Sequence, residues 1–249
     1  MPVRLGAALV AEFVGSFALT FVGILAIRHA EGSLLLIALA HGLILAVMVS
    51  ATMQTSGGHF NPAVTIGFLI TGKIKPVAAI GYVVIQLMAG LAAAMAVYSI
   101  FGGGEKAAQV VFNGTPNVGP NVTAMSALFC EIIATFFLVF VIWGTAADPR
   151  ARNIGGFGIG LVVAADILAF GPLTGASMNP QRSFGPTLIG SWAQNGGQLW
   201  TYHWIYWVGP IIGAALAAVV YRVALWPSDV SRGVDPGAVD VPPTQRPAA

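Results

Sequence analysis

Two short segments of this chain repeat one polar pattern inside an otherwise apolar sequence. The first, Ser-Gly-Gly-His-Phe-Asn-Pro-Ala-Val-Thr, contains Asn61, and the second, Gly-Ala-Ser-Met-Asn-Pro-Gln-Arg-Ser-Phe-Gly-Pro, contains Asn179 and Arg182. An asparagine oxygen can accept an unpaired backbone N–H at a helix start, and the following proline suits the first helical position. Each segment therefore predicts a helix start, and the amide N–H groups of both asparagines remain as donors for a polar molecule.

Two carboxylates stand at matching distances before these asparagines. Glu12 precedes Asn61 by 49 residues, and Glu131 precedes Asn179 by 48. The surrounding apolar runs, Ala-Glu-Phe-Val-Gly-Ser-Phe-Ala-Leu and Cys-Glu-Ile-Ile-Ala-Thr-Phe-Phe-Leu, also correspond. A carboxylate inside a membrane raises the question of a proton relay, but the symmetric placement favours a structural role. The chain is therefore predicted to be an internal repeat.

The composition predicts that these residues are carried by a membrane protein. Hydrophobic residues make up 57% of the chain and charged residues only 8%, with a mean hydropathy of +0.82, whereas a soluble domain has about 25% charged residues. A membrane span needs about 20 apolar residues. Six stretches qualify, namely residues 5 to 27, 34 to 55, 76 to 100, 122 to 145, 154 to 171 and 199 to 225.

The two Asn-Pro segments, residues 61 to 70 and 179 to 189, are too short to cross a membrane. About ten helical residues reach about 15 Å, half of a hydrocarbon core of about 30 Å. Irregular backbone at that depth is tolerated only where protein or a water-filled cavity solvates it, so the loops before these helices should line a pore.

We therefore expect an all-α membrane protein of six transmembrane helices and two re-entrant half-helices. The repeat halves are about 5 to 100 and 122 to 225, within one membrane domain of residues 1 to 226. Three spans per half make the second half inverted relative to the first. Inverted repeats meet near the bilayer midplane, where broken helices point their N-termini at the conducted species.

The positive charges indicate an orientation with both termini in the cytoplasm. In that orientation only Arg28 and Lys106 lie outside, apart from Arg182 in the second half-helix, and residues 101 to 121 form an external loop. The tail from 227 to 249 is rich in proline, aspartate and serine and is predicted to be disordered. The residues placed inside are Arg4, Lys73, Lys75, Arg150, Arg152, Arg222, Arg232 and Arg246.

Other functional classes find little support. The net charge of +2 is too small and scattered to indicate nucleic acid, and Cys130 alone provides neither a disulfide framework nor a metal site. No nucleophile with a base and no phosphate loop is evident, so neither an enzyme nor a cofactor is expected. An ion-coupled transporter also shows inverted repeats and broken helices, and it remains a less favoured alternative.

Three motifs together resemble the aquaporin (major intrinsic protein) family. They are the two Asn-Pro segments and His-Trp-Ile-Tyr-Trp-Val-Gly-Pro at 203 to 210, in the right order and spacing, and the resemblance runs from about residue 7 to 224. The family implies a passive channel for water or small neutral solutes in each subunit of a membrane-embedded homotetramer. In such a pore Asn61 and Asn179 would both donate to the oxygen of a passing water. Glu12 and Glu131 would accept hydrogen bonds from the re-entrant loop of their own half.

The resemblance also implies a selectivity filter at the external constriction. Arg182 would face His41, Ile167 and Ala176, a set similar to that of plant tonoplast intrinsic proteins. Water is the expected solute, with ammonia or urea as further candidates because Ile167 and Ala176 leave a wider, less polar aperture. Carbonyls of both loops would line the pore, from Gly57, Gly58, His59, Gly175, Ala176 and Ser177.

Two residues depart from the family pattern. Gln181 stands where alanine is usual, so its amide either turns sideways to a neighbour or reaches the pore. In the second case the chain could be a non-conducting or gated member of the fold. Asp166 stands where the plant relatives commonly have asparagine, and it is expected to be neutral, paired with a backbone amide, or a partner near the filter. Short tails and an external loop without histidine favour a prokaryotic plasma membrane over a plant vacuole.

Overall fold

The computed structural model describes residues 5–151 and 154–226, and all regular elements in these ranges are helical. The tail from 227 to 249, which was predicted to be disordered, lies outside the described residues. Arg4, Arg152, Arg232 and Arg246 also lie outside them. The helices are α1 (Leu5–His29), α2 (Leu34–Ser56), α3 (Pro62–Ile70), α4 (Pro76–Ile100), α5 (Gly104–Asn113), α6 (Ala124–Ile142), α7 (Phe157–Thr174), α8 (Pro180–Gly190) and α9 (Ile205–Val220). The π-helical turns Trp143–Ala147 and Tyr221–Leu225 extend α6 and α9, and a 3-10 turn, Gly196–Trp200, precedes α9.

Six helical segments are long and apolar enough to cross a membrane, which confirms the predicted fold class. The largest shift in their bounds is at α7, which begins at Phe157 rather than 154 and runs on to Thr174. The segments are Leu5–His29, Leu34–Ser56, Pro76–Ile100, Ala124–Ala147, Phe157–Thr174 and Gly196–Leu225.

The two half-helices begin where the Asn-Pro pattern predicts. α3 has 9 residues and α8 has 11, lengths of about 14 and 17 Å at 1.5 Å per residue. Asn61 caps α3 with φ −158° and ψ 120°, and Asn179 caps α8 with φ −154° and ψ 109°. Each asparagine oxygen accepts the backbone N–H two residues on, at 2.8 Å from Ala63 and 3.1 Å from Gln181. The same Asn-Pro sequence pattern therefore produces nearly the same helix-start geometry in both halves.

The spans pack as two interleaved halves around these short helices. α1 packs on α2 and α4, and α6 packs on α7 and α9, while α2 joins the halves through α7. α3 lies against α4 and α9, and α8 lies against α4 and α5. The α2–α7 crossing depends on glycine, since a Cβ on Gly42 would lie 2.5 Å from the carbonyl oxygen of Gly160. Small residues allow such close approach of spans within a membrane.

The loop between the two halves contains a helix that was not predicted from the sequence. Residues 101–121 were expected to form a loop between the halves, yet they contain α5, which buries Ala107, Ala108 and Val111 while its other face is exposed. The apolar residues of α5 do repeat with helical spacing, but the glycine run at 102–104, with positive φ throughout, is typical of a turn and favoured a loop for the whole segment. α5 packs on α8, so the loop covers the second half-helix.

Asp148 joins the ends of α6 and α9. Its buried carboxylate accepts bonds from Arg150 Nε at 3.1 Å, Arg150 Nη2 at 2.7 Å and the Tyr221 hydroxyl at 2.9 Å. Arg150 Nη2 also donates to the Leu225 carbonyl at 2.7 Å. These donors, above all the Arg150 side chain, lower the pKa of Asp148 to about 2.

The low pKa of Asp148 predicts an acid-sensitive contribution to stability. A carboxylate with a lowered folded-state pKa stabilises the fold above its ordinary pKa of 3.8, and this contribution is lost as the pH falls through about 2. We expect Asp148→Asn to lower the melting temperature at neutral pH and to flatten its decline across this acid range. Thermal unfolding in detergent as a function of pH measures both effects. Parallel curves for wild type and variant would contradict the assignment.

Candidate functional site

The N-terminal ends of α3 and α8 meet, and their asparagine caps bond across the repeat. Asn61 Nδ2 donates to the Met178 carbonyl at 2.7 Å, and Asn179 Nδ2 donates to the Phe60 carbonyl at 2.9 Å. Both asparagines are buried and both line the same internal channel. Each amide nitrogen has two hydrogens, so one remains on each side chain after the cross-repeat bond is made.

The loops before the two caps share one unusual backbone conformation. In the first loop φ is positive at Gly57 (90°), Gly58 (62°) and Phe60 (47°), and the second loop has positive φ at the matching positions 175, 176 and 178. Left-handed φ is uncommon outside glycine, and strained residues persist only where their surroundings fix them. Phe60, Ala176 and Met178 therefore need strong support from other elements.

Glu12 supplies that support to the first loop. Its Oε1 accepts the Ser56 hydroxyl at 2.7 Å and the His59 backbone N–H at 2.9 Å. Its Oε2 accepts the Phe60 backbone N–H at 2.7 Å and Gln86 Nε2 at 2.8 Å. The fully buried carboxylate thus has four donors, which is the kind of arrangement that makes a buried charge tolerable.

Glu131 occupies the equivalent position in the second half with one bond fewer. Its Oε1 accepts the Thr174 hydroxyl at 2.7 Å and the Ser177 N–H at 3.0 Å, and its Oε2 accepts the Met178 N–H at 2.7 Å. The two backbone donors match those that Glu12 binds, whereas no described residue takes the place of Gln86. The geometry is that of a loop anchor in both halves.

An internal cavity of about 40 Å³, called the channel below, lies at the meeting point of the half-helices. Its walls come from both loops, both asparagine caps, and aliphatic side chains of α1, α2, α6 and α7. A second cavity of about 250 Å³ lies between α5, α7 and the ends of α1 and α2. Arg182, Ile167 and Gly175 line both spaces, so the second cavity is a vestibule to the first.

The four predicted filter residues come together at this junction. His41, Ile167, Ala176 and Arg182 are all buried, and all line the channel. They come from α2, α7, the second loop and α8 respectively. An imidazole, a guanidinium and two apolar groups therefore lie together beside the junction of the two cavities.

Hydrogen bonds fix the two polar members of this group. Arg182 Nη2 donates to the Gly114 carbonyl at 2.9 Å and makes a long 3.5 Å contact with His41 Nε2. His41 Nδ1 lies 2.8 Å from the Ile37 carbonyl, which can only accept, so Nδ1 carries the proton and Nε2 is an acceptor. A Cβ on Gly23 would clash with His41 Nε2, so glycine is needed there. Sequence reasoning missed Gly23 and Gly114 because both act through tertiary contacts.

The positions that the repeat relates to His41 and Arg182 are apolar. The repeat offset of 118 residues pairs His41 with Ile159 and Arg182 with Val64, and both partners line the channel. Isoleucine and valine therefore occupy the positions that imidazole and guanidinium occupy at the vestibule end. The inverted repeat is symmetric in its backbone and asymmetric in its chemistry.

The predicted pore-lining loop residues separate into two groups. Gly57 lies outside the channel lining, because it ends α2 as a left-handed cap that donates its N–H to the Met53 carbonyl at 3.0 Å. The others line the channel together with Ala176, namely Gly58, His59, Gly175 and Ser177.

The His59 side chain is held by neighbours on its own half. Its Nδ1 lies 3.1 Å from the Thr65 hydroxyl, and its ring packs 4.5 Å from Phe68 and 5.3 Å from Tyr82, centroid to centroid. The ring therefore stabilises the junction of the first loop with α3 and α4.

Gln181 turns sideways rather than into the channel. Its side chain is fully buried, it accepts from the Thr20 hydroxyl at 3.0 Å, and it donates to the Phe60 carbonyl at 3.3 Å. It is not among the residues that line the channel. Of the two placements that the sequence left open, the structure has the one that keeps the pore clear.

Asp166 is buried but makes no hydrogen bond to any described residue. Only 4% of it is exposed, and its Oδ2 has no partner in the described part of the chain. It lies on α7 next to Ile167, yet it is absent from the channel lining. Of the three possibilities that the sequence left open, pairing with a backbone amide is not found among the described residues.

Replacing Asp166 by asparagine should stabilise the protein without changing its transport. A buried polar group without a partner costs about 1–3 kcal/mol, and the neutral amide has the same shape and a smaller desolvation penalty. We expect a higher melting temperature and unchanged permeability for Asp166→Asn in reconstituted vesicles. A lower melting temperature would mean that the carboxylate has a stabilising partner.

The hydrogen-bonding roles of two tyrosines and one glutamine at the site were not predicted from the sequence. The Tyr82 hydroxyl donates to the Ser56 carbonyl at 2.8 Å, and the Tyr206 hydroxyl donates to the Thr174 carbonyl at the same distance. Gln86, one helical turn after Tyr82, bonds Glu12. A polar pair four residues apart in an apolar span was the available signal, because such residues face the bundle interior.

Comparison with known proteins agrees with this architecture. The family model "MIP: Major intrinsic protein" matches residues 3–221. Probable aquaporin TIP3-2 of Arabidopsis thaliana is 42% identical over 243 residues, covering 89% of this chain and 84% of the relative. Aquaporin TIP4-4 of Zea mays is 40% identical over 229 residues, covering 86% and 84%.

A solved structure shows the same fold. The X-ray structure of the aquaglyceroporin from Plasmodium falciparum superposes with a TM-score of 0.77 at 25% identity, covering 89% of this chain and 97% of that one. The family match, the relatives and the facing half-helices all agree. This multi-pass membrane protein belongs to the major intrinsic protein family, and its sequence is similar to those of TIP-type aquaporins.

Proposed function

We propose that this chain is a passive water channel that excludes protons and ions. The observation that carries the proposal is the pair of asparagine amides on one channel. Asn61 and Asn179 lie at the facing N-terminal ends of α3 and α8, and each is held by a carbonyl of the other loop. Two donors fixed at one point suit the oxygen of a passing water.

Proton exclusion follows from the direction of these groups. A water that accepts from both amides turns its hydrogens away from them, so it cannot pass a proton along a file. Each helix N-terminus is equivalent to roughly +0.5 charge, and two such ends face the channel. Positive helix ends of this kind repel protons and other cations.

The solute range is proposed to include ammonia or urea. Ile167 and Ala176 form an apolar side of the constriction, while Arg182 and His41 form the polar side. A small neutral solute with one polar and one less polar face fits such an aperture. The external loop has no histidine, so any ammonia flux would depend on His41 and Arg182 alone.

Osmotic shrinkage of proteoliposomes, followed by stopped flow at several temperatures, tests the proposal. Fast shrinkage with a low activation energy is the expected result. Parallel assays with a pH dye should give a proton leak equal to that of protein-free liposomes. Shrinkage no faster than in protein-free liposomes, from folded protein, would refute the water channel.

The plasma membrane is the proposed location of the protein. In the proposed orientation both termini lie in the cytoplasm. Alternation of the six spans puts Lys73 and Arg150 on one side and Arg28 and Lys106 on the other, which agrees with an excess of positive charge inside. Membrane fractionation and labelling of single introduced cysteines from each side test location and orientation.

A homotetramer is the proposed assembly. Along α2, Leu35, Leu39, Leu43 and Val47 are all exposed at four-residue intervals. This apolar stripe suits a neighbouring subunit as well as lipid. Native mass spectrometry should give a species of four chains of 25.7 kDa each, whereas a monomer alone would contradict the proposal.

A further inference from the structure

Gln181 occupies a site formed by three other parts of the chain. Its Oε1 accepts from Thr20 on α1, and its Nε2 donates to the Phe60 carbonyl of the first loop. α4 makes room for it at Gly90, where a Cβ would lie 2.6 Å from both Gln181 O and Oε1. Both ends of a fully buried amide are therefore bonded, and its neighbours are shaped to accept it.

The Phe60 carbonyl gives this site its connection to the channel. It accepts from Gln181 Nε2 at 3.3 Å and also from Asn179 Nδ2 at 2.9 Å. A carbonyl oxygen has two lone pairs, so both are occupied. The Phe60 carbonyl is thus held in place by one amide while it orients the other, and Asn179 is the one that lines the channel.

The other half of the repeat has no equivalent of this arrangement. Ala63 stands at the position that corresponds to Gln181, 118 residues earlier. The Met178 carbonyl, which corresponds to that of Phe60, accepts only Asn61 Nδ2 among the described side chains, at 2.7 Å. Asn61 is therefore held by a carbonyl, that of Met178, with one side-chain donor. Asn179 is held by the Phe60 carbonyl, which has two.

We propose that Gln181 is a positioning residue that orients the Asn179 amide through the Phe60 carbonyl. The inference rests on the proposed water channel. Without Gln181 Nε2, the Phe60 peptide keeps one side-chain donor and its carbonyl can rotate with that donor. The remaining N–H of Asn179 is then less well aimed at channel water. Loss of Gln181 therefore lowers the water permeability, in addition to any effect on the stability of the fold.

Three variants test this. Gln181→Met keeps the length of the side chain and removes both hydrogen bonds, and Thr20→Val removes only the bond to α1. Ile189→Val is the matched control, because Ile189 is buried on the same half-helix and far along it from the channel. Water permeability per folded protein, its activation energy and the melting temperature are measured for each variant and for the double variant in proteoliposomes.

Gln181→Met is expected to lower the water permeability per folded protein by about threefold to tenfold, the effect of one neutral hydrogen bond, and to raise the activation energy. Thr20→Val should have a smaller effect, and the double variant should match Gln181→Met because both act on one group. Ile189→Val should lower only the melting temperature.

The proposal is overturned if Gln181→Met conducts like wild type while its melting temperature falls, since Gln181 is then merely structural. It is also overturned if the two substitutions reduce permeability additively. Failure of the wild type to conduct in the same liposomes would instead refute the proposed function, so the two failures are distinguishable.

Discussion

Replacing Glu12 by leucine is expected to prevent the chain from forming a stable folded protein. The carboxylate accepts the buried backbone N–H groups of His59 and Phe60. Each buried donor left without a partner costs about 1–3 kcal/mol, so the two cost about 2–6 kcal/mol. Proteins are stable by only about 5–15 kcal/mol. Size-exclusion chromatography and thermal unfolding in detergent should show aggregated or early-melting protein.

Glu131 provides the matched comparison. Its second oxygen accepts only the Met178 N–H, whereas that of Glu12 accepts two donors, from Phe60 and Gln86. A glutamine in place of the glutamate keeps one acceptor oxygen, so Glu131→Gln should be milder than Glu12→Gln. Equal melting temperatures for wild type and Glu12→Leu would refute the loop-anchor role.

Replacing Arg182 by valine should convert the outer constriction to the chemistry of the inner end, where Val64 occupies the corresponding position. A unit charge about 8 Å from a passing cation, at an effective dielectric constant of about 20, contributes about 2 kcal/mol, or about thirtyfold in rate. We therefore expect cation or proton leak to rise by about this factor. Urea and glycerol should also pass faster, because a large side chain is lost.

Arg182→Lys separates charge from shape. Lysine keeps the positive charge but lacks the planar group that bonds the Gly114 carbonyl and contacts His41. Ion exclusion should persist in this variant while solute size selectivity weakens. Unchanged proton leak and unchanged urea flux in Arg182→Val vesicles would show that Arg182 does not form the filter.

The repeated parts of the molecule were predictable from the sequence. Asn-Pro is a strong local signal for a capped helix start, and the near-equal spacing from Glu12 to Asn61 and from Glu131 to Asn179 pointed to a shared architecture. Apolar run length separated spans from half-helices. These features depend on residues close together in sequence or on a repeat that can be counted.

The contacts that occur in only one half of the repeat could not be predicted from the sequence. The Gly114 carbonyl bonds Arg182 from 68 residues away, and α5 lies between a glycine run and a segment rich in asparagine and proline, which together favoured a loop. The orientation of Gln181 depends on Thr20, 161 residues away, and on the absence of a side chain at Gly90. Such contacts arise only when helices pack, so sequence left two placements for Gln181.

A reversible block of the channel mouth tests the central claim most directly. Ile167 lines both the vestibule and the channel, so Ile167→Cys is placed in a Cys130→Ser background and treated with a membrane-impermeant mercurial. Osmotic water permeability should fall toward that of protein-free liposomes and recover with excess thiol, while the Cys130→Ser protein alone stays unaffected. Undiminished permeability of the labelled Ile167→Cys protein, with labelling verified by mass spectrometry, would contradict water passage through this channel.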